Sequence, residues 1–166
     1  MKLFPSKYFT IELKEDRVAT LKELKRNTKL TDNLISSYTD KKFIGKVNDS
    51  GFKIISSEIG RGAVCIFTGE LQDSLGELEI RIHNAFKVMF SILLSYPLIG
   101  FGLIACNQGF EKAIKFLPIL IIFLLFIRFV FIELSFRFIS KTGLNKLTKT
   151  LGIKTMHNNG NRCTSH

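Results

Sequence analysis

The sequence reads as an α+β protein: an antiparallel sheet with one covering helix, in the order strand–helix–four strands, followed by a two-helix transmembrane hairpin. Three features carry that reading. Apolar and polar residues alternate through much of residues 43–83, the period of half-buried strands. One earlier stretch, EDRVATLKELKRN, repeats its apolar residues every three positions instead. Beyond residue 84 the chain turns almost wholly apolar in two blocks, 85–106 and 116–138. The expected division is a head over 1–84, a hairpin over 85–138, and a basic tail over 139–166 that holds a short amphipathic helix and then disorder.

In the head, Phe9, Ile11 and Leu13 alternate with Thr10 and Glu12, which gives the first strand. Val18, Leu21 and Leu24 then define a helix face, with acids at its start and bases at its end, the arrangement that suits the helix dipole. Residues 28–41 are polar and carry no clear period beyond a turn of helix around Asn33–Ser37. FIGKV, NDSG and FKIISS read as a strand, a turn and a strand, and GAVCIFTGEL, QDSLG and ELEIRIH repeat the pattern. In the last strand Leu78, Ile80 and Ile82 face one way, Glu79, Arg81 and His83 the other. A head of this size buries only a modest core.

Each apolar block exceeds the ~20 residues that cross ~30 Å of hydrocarbon. NQGFEKAIK joins them, so the two helices are antiparallel. Ser91, Ser95 and Gly102 lie within about 40° of one another on an ideal helix and form the expected helix-packing face. Pro97 should kink the first helix or loosen its hydrogen bonding. Four ionisable residues, Lys87, Arg128, Glu133 and Arg137, fall inside the blocks. Glu133 and Arg137 are four apart in the favourable order and can pair. Arg128 and Glu133 are five apart, about 140° around an α-helix, and so should not. On that geometry Arg128 snorkels to the inner headgroups, bonds across to another helix or protomer, or lines a permeation path.

The formal charge of +10 is unevenly placed. The head has fourteen Lys/Arg against twelve Asp/Glu, whereas the tail holds Lys141, Lys146, Lys149, Lys154 and Arg162 with no acid. Positive charge beside a span marks the side facing an anionic leaflet, so head and tail are expected in the cytoplasm and the short connection outside. No secretory signal pattern opens the chain. The expected setting is therefore the inner, cytoplasmic membrane of a cell, crossed twice, with both termini cytoplasmic.

Chemistry-bearing patterns are sparse. Cys65, Cys106 and Cys163 have no CxxC spacing, and Cys106 would lie across the membrane from the other two. His157, Cys163 and His166 form H-x5-C-x2-H in a polar tail that supplies no fourth zinc ligand. His83 stands alone near the first span. Arg61, between two glycines, is a candidate anion or headgroup contact. So are Lys146 and Lys149, on a segment whose Leu144, Leu147 and Leu151 share a face and either lie on the leaflet or dock on the head. Glu58, Glu70, Glu77 and Glu79 show no acid–base pairing in the sequence. P-loop, GxGxxG, HExxH and GxSxG patterns are absent, as is Trp, and the charge distribution does not suit nucleic acid.

FIGKVNDSGFKII, then IGRGAVCIFTGEL and a strand entering a two-span hairpin, resembles a group of small bacterial membrane proteins of unknown function. In that group an F-x-G-x-V strand precedes an F-K-I strand, an arginine and a G-E/K strand end. The matching positions are Phe43, Gly45, Val47, Phe52, Ile54, Arg61 and Gly69, and the resemblance covers residues 8–138. It implies the architecture and no activity. The element order is also similar to helix-grip folds, in which a sheet wraps a long C-terminal helix; here that helix is missing or displaced past the spans. The expected function is a membrane-anchored, non-enzymatic binding or regulatory module acting through its head, without cofactor or metal. Its partners would be a bilayer with an anionic inner leaflet, a protein at the head and a second copy through the spans. Alternatives are an oligomerising membrane effector of toxin or antiphage type, or an immunity or accessory protein to one.

Overall fold

The computed structural model describes residues 4–35, 37–58 and 62–158. It is α+β: a mixed seven-stranded sheet with helices, and two long apolar helices. The chain divides into two compact units, residues 5–83 with 138–166, and residues 1–4 with 84–137.

The first unit is the head. Its strands are β1 (Ser6–Leu13), β2 (Thr28–Leu30), β3 (Phe43–Val47), β4 (Gly51–Ser56), β5 (Cys65–Gln72), β6 (Leu75–Ile82) and β7 (Ile153–Asn158), ordered β2-β3-β4-β5-β6-β1-β7. All pairings are antiparallel except β2 with β3, which run parallel. The alternation of the sequence survives in the register. Phe67 sits opposite Ile54 and Ile80, and all three are buried. The other face holds a small apolar cluster of Ile44, Ile55 and Ile66, with Leu34 and Ala63 packed on it. Each such side chain, fully buried, contributes about 1.5–3 kcal/mol.

Helix α1 (Arg17–Arg26) buries Thr20, Leu21 and Leu24, while Val18 is left exposed. The face is therefore rotated from the one its apolar spacing suggests. The polar stretch after it forms strand β2, and residues 31–35 and 37–41 hold no helix. Thr28 begins β2 and donates its hydroxyl to the Leu24 carbonyl at 2.7 Å, so helix end and strand start are tied together.

The head does not end at residue 84. Helix α4 (Ser135–Leu151) returns after the apolar helices and buries Gly143, Leu147 and Leu151. Gly143 is where it comes closest to the sheet: a Cβ there would lie 2.3 Å from Cζ of Phe67, so only glycine fits without displacing a buried ring. Lys7 on β1 donates to Ser140 Oγ at 3.2 Å, and Lys146 pairs with Glu58. Of the two readings open to the long covering helix, absent or displaced in sequence past the apolar helices, the second is the one observed. Strand β7 follows and pairs with β1, with Ile11 opposite Met156. This corrects the expectation of a tail that becomes disordered after its helix, as far as Asn158. The segment from Ile153 to Asn158 is too short and too polar to reveal its period, but an open β1 edge gives its backbone groups partners.

The second unit contains α2 (Asn84–Gln108), α3 (Phe110–Phe126) and a π-helical segment, Ile127–Leu134, that leads into α4. Both candidate spans are long and apolar enough to cross a membrane. Their connection is far tighter than nine residues, because only Gly109 separates α2 from α3. At φ +86° its backbone lies where a residue with a Cβ is strained. Helix α2 runs through Pro97 as one element. Ile92, Ile122, Phe126 and Phe131 all project outward.

Candidate functional site

Three ionisable residues of the second unit, Arg128, Glu133 and Arg137, meet at the π-helical segment and the turn after it. Hydrogen bonding there runs from i to i+5 rather than i+4. That wider turn overturns the α-helical geometry from which Arg128 and Glu133 should not pair. Residues five apart come over one another, and Arg128 Nη1 lies 3.7 Å from Glu133 Oε2. The other carboxylate oxygen accepts a hydrogen bond from Arg137 Nε at 3.0 Å. One glutamate thus bridges two arginines, and the cluster carries a net charge of +1.

Shielding grades along the cluster. The Arg128 side chain is 15% exposed, Glu133 28% and Arg137 69%. The Phe129 ring lies beside Arg128, with the guanidinium carbon 5.8 Å from its centroid, a cation–π contact. Phe129 carried no marker in the sequence beyond its place next to an arginine. In hydrocarbon an arginine on its own costs about 2.5–3.5 kcal/mol on insertion scales. A carboxylate one π-turn away offsets part of that cost. The rare helical form is thus explained by what it lets meet.

Lys87 lies on a groove along α2 with Ser91, Ser95 and Tyr96. Ser91 Oγ donates to the Lys87 carbonyl and Ser95 Oγ to that of Ser91, each at 2.8 Å, so both hydroxyls are satisfied inside their own helix. Ser91, Ser95 and Gly102 are exposed, and a Cβ added at Gly102 would meet nothing within 4 Å. The expected small-residue face is therefore not the face between α2 and α3. Pro97, Gly100, Phe101 and Ile104 of α2 instead line a groove together with Phe116, Ile119, Leu120 and Phe123 of α3.

In the head the sequence-derived candidates scatter. Lys146 is engaged by Glu58, and Lys149 is exposed on α4. Of the two placements open to that helix, it takes the docked one. Arg61 lies outside the described residues, as do Cys163 and His166, whereas His157 is exposed on β7. Glu70 and Glu77 are cross-strand partners and both exposed, a juxtaposition the sequence did not reveal. Glu79 accepts a hydrogen bond from Tyr8 Oη at 3.1 Å and lies 3.9 Å from Arg81. Burial, then Glu79, raises the Tyr8 pKa. Burial pushes the Cys65 thiol up to about 12 despite the opposing charge of Lys7, so it stays protonated and a poor nucleophile. Burial, with Lys53 adding, lowers the His83 pKa and keeps the imidazole neutral at pH 7. Among the described residues no group of three His, Cys, Asp or Glu side chains is placed to hold a metal ion.

One feature of the head carried no motif. Arg17, Lys22 and Lys25, on one side of α1, line a cavity closed by the turn between β3 and β4. The recurrence of cations at Arg17, Lys22 and Lys25 beside the buried face of the helix was the available signal. Comparison with known proteins finds no matching family model, no similar curated protein and no similar solved structure.

Proposed function

We propose that the chain is a membrane-anchored, non-enzymatic binding or regulatory module. The apolar hairpin holds it in the inner, cytoplasmic membrane of a bacterium, and the head acts in the cytoplasm. One observation carries this reading: the shielded cation of the hairpin, Arg128, faces a carboxylate of its own helix. Glu133 takes up both Arg128 and Arg137, as an anchor requires. The outward apolar side chains of α2 and α3 exceed what a water-facing surface tolerates and suit lipid. The acid-free tail supports a cytoplasmic location for both ends.

The native cysteines offer the test. Cys106 is exposed near the end of α2 that leads to Gly109, and Cys163 lies in the tail. A membrane-impermeant maleimide on intact cells should label the chain through Cys106, and Cys106→Ser should abolish that labelling. Loss of labelling in Cys163→Ser instead would invert the topology, and release of the chain by carbonate washing would end the anchor reading. The effector alternative draws on the π-helical charge cluster, since such segments are frequent at functional sites. Membrane depolarisation on expression, abolished by Arg128→Leu, would replace the module reading with that one.

A further inference from the structure

We propose that the cavity between α1 and the β3–β4 turn binds a phosphate ester carried on a small organic group. The inference rests on the reading of the head as the part that acts, and names the chemistry it recognises. The cavity is about 410 Å³, within the ~300–1,000 Å³ typical of small-molecule sites.

Its charge is one-sided. Arg17, Lys22 and Lys25 line it, and Asp49 supplies the single carboxylate, a local excess of two positive charges. Three other cations of the head are engaged by acids, Lys46 with Asp32 at 2.9 Å, Lys154 with Glu12 at 3.1 Å, and Lys146 with Glu58. Among the described residues, none of the three cavity cations is within ion-pair distance of a carboxylate. Arg17 is the most withdrawn of the three cations. Its Nε is buried and makes no hydrogen bond within the protein. That nitrogen is closed to water, so a ligand in the cavity would meet the outer end of the guanidinium, whose planar fork fits phosphate oxygens.

The rest of the wall is apolar. Val47 lines it from the strand end, and Val18 lies at its edge with 63% of its surface exposed, a large apolar side chain that α1 does not turn onto the sheet. Asn48 adds an amide at the turn. A wall that interleaves cations with Val18, Leu21 and Val47 fits a ligand with an anionic group and an organic remainder better than it fits inorganic phosphate alone. A free phosphorylated metabolite and a lipid headgroup share that chemistry.

The test uses the full-length chain in neutral phosphatidylcholine nanodiscs, titrated calorimetrically with ADP, with inorganic pyrophosphate, and with a water-soluble short-chain phosphatidic acid. Binding of ADP assigns a soluble source, and binding of phosphatidic acid alone assigns a lipid one. Either supports the site, provided Arg17→Gln and the double variant Lys22→Gln/Lys25→Gln each weaken it about tenfold or more, the equivalent of one lost charge-assisted contact. The Lys pair is on the outer side of α1, so the double variant keeps the fold if the arginine variant does not. Lys14→Gln and Lys42→Gln, cations of the same unit outside the cavity, should leave affinity unchanged. No binding by any of the three compounds, or equal weakening by the control variants, overturns the proposal. Either result leaves the anchor reading intact, because carbonate extraction and cysteine labelling test that separately.

Discussion

In the head, Phe67, Ile54 and Ile80 are withdrawn while Lys149 and Glu70 stand outside. In the hairpin, Ile92, Ile122 and Phe126 stand outside while Arg128 is withdrawn against Glu133. The same residue types thus occupy opposite positions in two units of one chain. The difference teaches that each unit has been arranged for its own solvent. In the head apolar area leaves water, which stabilises the fold in proportion to the area lost. In the hairpin apolar area gains nothing by turning inward, because lipid tails are as apolar as leucine. What must turn inward there is charge.

The largest effect breaks the comparison at its boundary. If the head were residues 1–84, that fragment would fold alone. It lacks α4 and β7, so the β1 edge and the ring of Phe67 against Gly143 lose their cover. Exposing such a core removes more than the ~5–15 kcal/mol that separates a folded domain from its unfolded chain. The 1–84 fragment should give no cooperative urea transition and should bind a hydrophobic dye. A chain joining residues 5–83 to 138–158 through a long Gly/Ser linker should regain a single transition. A cooperative transition in the short fragment would return the boundary to residue 84.

A smaller effect sharpens the contrast inside the hairpin. Glu133→Gln removes the carboxylate that Arg128 and Arg137 share. Removing one partner of a shielded pair costs about 3–5 kcal/mol when fully buried, and less at the partial exposure seen here. The expected result is earlier unfolding of the hairpin in mixed detergent, by less than the ~2.5–3.5 kcal/mol that a lone arginine costs on insertion scales. Replacing both, Arg128→Leu with Glu133→Leu, should restore stability, since hydrocarbon accepts leucine. If the single and double variants unfold alike, the pair contributes nothing and the π segment needs another cause.

How much of this was legible depends on period and length. Leu78, Ile80 and Ile82 declared their strand because alternation persisted over eight residues, and the hairpin declared itself by composition alone. Strand β2 has only three residues, Thr28–Leu30, too few for any period. The Arg128–Glu133 pair was hidden for a different reason: angles around a helix assume its pitch, and five residues close only on a π turn. The tight turn at Gly109 was hidden because Asn107, Gln108 and Glu111 read as loop by polarity, although helices end in polar residues too. The basic cavity needed the tertiary fold, which alone brings Asp49 to Arg17.

The smallest effect concerns the head's open edge, where β7 meets β1. Thr155 Oγ1 donates to one oxygen of Glu12 at 2.8 Å and Lys154 Nζ to the other at 3.1 Å. The Thr155 hydrogen bond first, then Lys154, lowers the Glu12 pKa below the usual 4.5. A lowered carboxylate pKa means that the folded state binds the proton less readily than the unfolded chain. The contribution is therefore present above about pH 4.5, the unfolded value, and disappears as pH falls through the folded one. Because Glu12 is at the surface, solvent screens the pair, and the gain is local rather than global. The signature to seek is thus a titration and not a melting temperature. NMR of the Glu12 side-chain carboxyl should show its midpoint below the ordinary range, and Thr155→Val should move it up more than Lys154→Ala does. Amide protection at Met156 should fall over the same pH interval, after correction for intrinsic exchange. An ordinary Glu12 midpoint that neither variant moves would mean that β7 does not lie on β1 in solution. The head would then end on β1, a long edge strand, where this fold ends on the shorter and more polar β7.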